Sequence, residues 1–152
     1  LQYLFDAAEK VRLESLVSSG YAPHAQAAAK LRPEEAYHER HTRAWVLRLG
    51  DGSSESNHRM QRALDGLWGY ALTLFEDDPG ARPALRAQVV TGGADLRCRW
   101  EDEVRATLDL ARLVVPEEAG QPPVGRRQHT DHLVGLLEEL QSVARSDPTA
   151  VW

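Results

Sequence analysis

The stretch Tyr37-His38-Glu39-Arg40-His41, running on through Trp45-Val46-Leu47-Arg48-Leu49-Gly50-Asp51-Gly52, decides how this chain is read. It belongs to a segment with helical periodicity from Ala25 to Leu49, which Gly50-Asp51-Gly52 brings to an end. Leu31, Glu35, His38, Thr42, Trp45 and Leu49 follow one another at intervals of four and three, so they share one side of that helix. A stripe that begins and ends apolar is expected to face the core, which takes Glu35 and His38 inside. Burying a carboxylate is costly unless it is paired or bound to a metal. A Glu-x-x-His pair on each of two helices, with a carboxylate from each of two others, is how one kind of four-helix bundle holds two iron atoms.

Working outward, helical spacing dominates the chain and no segment alternates at period two, so the expected fold class is all-α, an antiparallel helical bundle. The first helix is expected from the start to about Val17, closed by Ser18-Ser19-Gly20. The second carries Pro33, where a kink or a fresh helical start is expected. A third runs from about Ser54 to Glu76, with Met60, Leu64, Leu67, Trp68, Ala71 and Phe75 on one face. A short helix is expected from Pro83 to Val90 and a long one from Asp95 to Leu113. Residues 115 to 125 hold Pro116, Pro122 and Pro123 and read as a linker. The last helix spans about Thr130 to Arg145, with Leu133, Leu136, Leu140 and Val143 as its core stripe.

The length of 152 residues fits a single domain. Residues 1 to 152 are therefore read as one helical domain. The chain opens on Leu1-Gln2-Tyr3-Leu4-Phe5, which reads as mid-helix, so an N-terminal segment is expected to be missing and a signal peptide is not expected. A hydrophobic content of 42% and a net charge of -5 suit a soluble protein and speak against a nucleic-acid partner, which usually meets a basic face. No apolar run approaches the roughly 20 residues needed to cross a bilayer, so no membrane partner is expected. Cys98 is the one cysteine, which rules out an intrachain disulfide and fits a cytoplasmic location.

The candidate polar site draws on several helices. Asp6 lies 29 positions before Glu35, a separation that suits a hairpin in which the two side chains meet. Asp65 shares a side with Gln61, Trp68 and Leu72 and is the candidate for another carboxylate. The last helix offers His129-x-x-His132, where an acid three residues before the second histidine would be needed. Asp6, Glu35, His38, Asp65, His129 and His132 are thus candidates for a vestigial site, and the incomplete set favours a polar network without metal, helped by Arg40 or Arg43. A zinc site from His38, His41, His129 and His132 is disfavoured, because His38 and His41 diverge on the helix surface. Arg126-Arg127 could draw an anion to the last helix, though such a pair is more often solvated. Gly92-Gly93 is a turn signal rather than a phosphate loop. Cys98 has no evident base, and Trp45, Trp68 and Trp100 read as packing.

These segments resemble one family, the small structural subunit of the bacterial phenylacetyl-CoA epoxidase. The resemblance is carried by Tyr37-His38, Trp45 to Gly52, Glu55-Ser56, Arg59 to Asp65 and Leu67-Trp68. It continues near the end in His129-Thr130-Asp131-His132-Leu133, Leu136-Leu137, Glu139, Gln141 and Trp152, and is weakest between Asp77 and Gln128. It implies a ferritin-like fold and a division of labour. A larger related subunit would carry the di-iron centre and epoxidise the ring of phenylacetyl-CoA in phenylacetate degradation. The small subunit would have no catalytic residues and no cofactor of its own, and would pair with that partner as a hetero-oligomer. The family pattern places a glutamate four residues before the histidine, matching Glu34, so Glu35 is a feature of this chain, as is Pro33. The competing reading is a ferritin-like metal-binding oxidoreductase with its own iron site.

Overall fold

A computed structural model describes residues 2–117, 128–147 and 149. The described residues contain helices and no strand, so the chain is all-α, as a ferritin-like helical bundle requires. The helices are α1 (Gln2–Leu16), α2 (Ala22–Gly50), α3 (Ser54–Thr73), the short α4 (Arg82–Arg86), α5 (Gly93–Leu110) and α6 (His132–Ser146). A single 3-10 turn, Pro79–Ala81, leads into α4. None of the helices is long and apolar enough to cross a membrane. The chain divides into two compact units, Leu1–Gln121 and Pro122–Trp152. The linker prolines Pro122 and Pro123, the pair Arg126-Arg127 and the terminal Trp152 lie outside the described residues.

The first unit is organised around α1 and α5. Tyr3, Leu4, Ala7, Ala8 and Val11 give α1 a buried face on which two alanines allow neighbouring backbones to approach closely. On α5, Leu96, Trp100, Val104, Thr107 and Leu108 recur at intervals of three and four and are all buried. Trp100 is fully enclosed, stacks on Trp68 with ring centroids 5.1 Å apart, and touches Phe75 at 5.1 Å. Its indole Nε1 donates to the carbonyl of Leu4 at 3.0 Å, which satisfies its polar atom inside the core. Trp68 and Trp100 are therefore packing residues, as expected.

Two corners need glycine. A Cβ on Gly50 would lie 2.4 Å from the carbonyl oxygen of Ala111, and one on Gly93 would lie 1.9 Å from that of Phe75. Between α2 and α3, Ser53 and Ser56 form a reciprocal cap that marks the start of α3. The Asn57 amide then bonds the carbonyls of Gly50 at 2.8 Å and Arg112 at 3.2 Å, tying the corner to the end of α5.

Several expectations are adjusted. Helix α2 runs unbroken through Pro33, so of the kink or fresh start expected there the fresh start does not occur. Pro33 and Ala29 are both exposed, so the carbonyl that proline leaves without a donor faces water. The stripe assigned to the core on α2 lies outside it: Leu31 is 49% exposed, Trp45 47% and Leu49 38%. The inward face is centred instead on Ala28, Val46 and Gly50, a set too small and too polar in its surroundings to register as an apolar stripe. Trp45 accordingly sits on the surface, with the Arg48 guanidinium 5.3 Å from its ring. Finally, α6 buries no residue: Leu136, Leu140 and Val143, expected in a core, are 51%, 69% and 63% exposed.

Candidate functional site

Within the first unit, Asp6 and the pair Glu35–His38 lie along one edge of α1 and α2, and Asp65 lies on α3. Asp6 is buried on α1, and both carboxylate oxygens are satisfied. Gln2 Nε2 donates to Oδ1 at 2.6 Å and Thr42 Oγ1 donates to Oδ2 at 2.9 Å. Asp6 thus meets α2 at Thr42, about two helical turns beyond the expected partner Glu35. The hairpin register is set by close packing of α1 and α2 over several turns, which a separation along the chain cannot specify.

Glu35 and His38 meet each other. His38 Nδ1 lies 3.4 Å from Glu35 Oε2, with the glutamate side chain 16% exposed and the histidine 50% exposed. The expectation that both lie inside is corrected for His38. The other Glu35 oxygen, Oε1, is buried without a hydrogen-bond partner. His41 is exposed and accepts a hydrogen bond at 3.2 Å from the indole of Trp45. An open groove of about 410 Å³ runs along this edge, with Gln2 and Asp6 on the α1 side and Tyr37, His38, His41 and Thr42 on the α2 side.

Asp65 does not join them. It is exposed on α3 and accepts from Gln61 Nε2 at 2.8 Å, while Gln61 also pairs with both backbone groups of Val114. His129 and His132 are exposed and belong to the second unit. Among the described residues, no group of three or more His, Cys, Asp or Glu side chains is placed to hold a metal ion. As they stand, Asp6, Glu35, His38 and Asp65 do not make a common ligand set for a pair of irons. Cys98 is exposed on α5.

The interior polar cluster of the first unit is built from other residues. Arg43 Nε donates to Thr107 Oγ1 at 3.1 Å, and Thr107, which is buried, also bonds the carbonyl of Glu103 at 3.3 Å. The Tyr3 phenol lies near the Thr107 side chain, whose interaction favours its ionised form. Burial pushes the Tyr3 phenol up to about 12, against the pull of that interaction, and the nearby charges of Glu39 and Glu103 raise it while Arg43 lowers it. At the outer edge Lys10 pairs with Glu103. Desolvation pulls the Lys10 ammonium down, but hydrogen bonding and attraction from Glu103, with help from Glu14 and Glu39, hold it above its ordinary value. Glu39, Glu103, Arg43 and Lys10 thus lie along neighbouring turns of α1, α2 and α5, and Glu103 has its counter-charge in Lys10.

Sequence reasoning named Arg43 as a neutralising group but missed Tyr3, Glu39, Glu103 and Thr107. A signal was present. Glu39 with Arg43, and Glu103 with Thr107, are pairs four residues apart on α2 and α5, so each puts two polar groups on one face.

Known proteins are similar in sequence to this chain. The model of the family described as phenylacetic acid catabolic protein matches residues 1–152. Two different subunits of the 1,2-phenylacetyl-CoA epoxidase of Escherichia coli (strain K12) are similar to it. One is 34% identical over 152 residues, covering 99% of this chain and 61% of that protein. The other is 27% identical over 120 residues, covering 76% of this chain and 39% of that protein. The chain therefore spans about three fifths of the length of the first of these relatives and two fifths of the second.

Proposed function

This chain belongs to the phenylacetic acid catabolic protein family, and from that premise we propose that it is a structural subunit of a phenylacetyl-CoA epoxidase in phenylacetate degradation. Its contribution is to pair with a related protein that carries a di-iron centre and performs the oxidation. When bound in that partner, the metal pair supplies oxygen activation. This chain supplies helix surface that keeps the partner folded.

The observation that carries the reading is the occupant of the bundle's polar level. In place of converging carboxylates and histidines stands the Arg43–Thr107–Tyr3 cluster, with Glu39, Glu103 and Lys10 around it. Arg43, hydrogen-bonded to Thr107, and Lys10, paired with Glu103, bring positive charge beside the neighbouring acids without a metal cation. Two further facts support it. The two relatives that this chain matches are both named as subunits of one epoxidase. Apolar side chains also remain exposed along α2 and α6, as expected of a surface that is covered in an assembly. An obligate interface of this kind typically buries on the order of 2,000 Å² or more.

A second reading, a metal-binding oxidoreductase in its own right, has one observation in its favour: the unpartnered Glu35 Oε1 beside His38. Iron content separates the two. The full-length protein, loaded anaerobically with ferrous ion, is expected to retain no stoichiometric iron and to co-elute with its catalytic partner, which should be poorly soluble when produced alone. About two irons per chain, the number a di-iron bundle holds, would overturn the structural reading in favour of the second. An independently soluble and active partner would count against it as well.

A further inference from the structure

The proposed role makes no use of a small apolar cavity in the first unit, and we infer that this cavity is a binding site for an uncharged, apolar guest smaller than benzene. Its volume is about 90 Å³. The floor comes from four helices, Leu4 of α1, Val46 of α2, Leu64 of α3 and Leu108 of α5, each no more than 8% exposed. The mouth lies on α3, where Met60 and Leu67 are half-buried and Ala63 is exposed. The guest therefore enters past one small side chain, flanked by a flexible thioether that can move aside.

The lining decides the chemistry. A buried water needs two to four polar partners, and no charged or amide side chain borders this space. Tyr3 does border it, and its phenol, held in the neutral form, is a single polar group where a water would need at least two. A dry void leaves its lining atoms without contacts on one side, and an apolar guest restores them. Any charged or strongly hydrated guest would lose its hydration with nothing to replace it. Size sets the upper limit. An apolar cavity of roughly 150 Å³ accommodates benzene or xenon, so the smaller space here takes a xenon-sized guest and excludes the aromatic ring.

The test uses the full-length chain with labelled methyl groups, equilibrated with xenon at increasing pressure and followed by NMR. Saturable shifts are expected at the methyls of Leu4, Val46, Leu64 and Leu108, with little change elsewhere. The Ala63→Leu variant closes the mouth at an exposed position, so it should fold normally and lose the response. Absence of saturable shifts at these methyls, or an undiminished response in Ala63→Leu, would overturn the site. A benzene response equal to that of xenon would overturn the size limit. Because the measurement is made without a partner, its outcome is independent of the reading as a structural subunit.

Discussion

Helices α5 and α6 carry similar sequence patterns and meet opposite fates. On α5 the stripe of Leu96, Trp100, Val104 and Leu108 is buried, with α1 packed alongside and Trp68 and Phe75 enclosing the indole. On α6 the expected stripe is Leu133, Leu136, Leu140 and Val143; Leu133 is half-buried, the other three are at least half exposed, and Val134 is 61% exposed beside them. Fully burying one such side chain is worth about 1.5–3 kcal/mol. The exposed side chains of α6 thus hold burial energy that a covering surface would recover. Periodicity reports that a face is suited to burial. It does not report which surface does the burying.

The comparison is broken or sharpened by substitution on each side of it. The largest effect is expected at Trp100, whose replacement by alanine should cost about 3–5 kcal/mol in urea unfolding, because it removes a fully enclosed ring and its bond to Leu4. A loss no greater than that of a surface substitution would remove α5 from the core. Next comes Gly50→Ala, which drives a methyl group into the Ala111 carbonyl and should cost about 3 kcal/mol by the same assay. A neutral result would show that the corner between α2 and α5 is looser than its contacts imply.

The third expectation concerns alkaline pH. The neutral phenol of Tyr3 is favoured in the fold, with its folded value about 12 against an ordinary value of 10.0. Below pH 10 both states keep the proton and this contribution is whole. Between pH 10 and 12 the unfolded state ionises first, so stability should fall by about 2–3 kcal/mol. Lys10, whose folded value is also raised, loses its contribution in the same direction as pH climbs through that value. Free energies of unfolding measured across this range should fall more steeply for the parent than for Tyr3→Phe, which lacks the phenol. Equal slopes would mean that the Tyr3 hydroxyl is solvated.

The smallest effect on stability is expected at Leu140. Leu140→Ser should change the free energy of unfolding of the isolated chain by less than about 0.5 kcal/mol, as at an exposed position. The same substitution should sharply reduce co-elution with the catalytic partner proposed above. A large loss of stability without the partner would show that α6 is already buried within the chain, and the contrast with α5 would disappear.

Much of the architecture was legible. The helix count, the stops at Ser18-Ser19-Gly20 and Gly50-Asp51-Gly52, and the inward face of α3 follow from side-chain spacing and turn chemistry, which act over a few residues. The candidate site was legible only in part. Asp6 is buried, but its partner is Thr42 rather than Glu35. Asp65 turns to Gln61 on the surface. The stripe on α2 misled because Leu31, Trp45 and Leu49 are large and apolar, whereas the buried positions of this helix are Ala28, Val46 and Gly50.

The division has a physical cause. Helix formation, capping and the existence of an apolar face depend on neighbours within about four residues, so the sequence by itself determined that this protein is a set of amphipathic helices with defined ends. Register between helices depends on the summed fit of many side chains far apart in the chain, such as Gly50 against Ala111, Gly93 against Phe75 and Trp100 against Leu4. Only the tertiary structure decided that Arg43 would reach Thr107, that Asp6 would meet Thr42, and that α5 would be covered while the stripe on α6 would not.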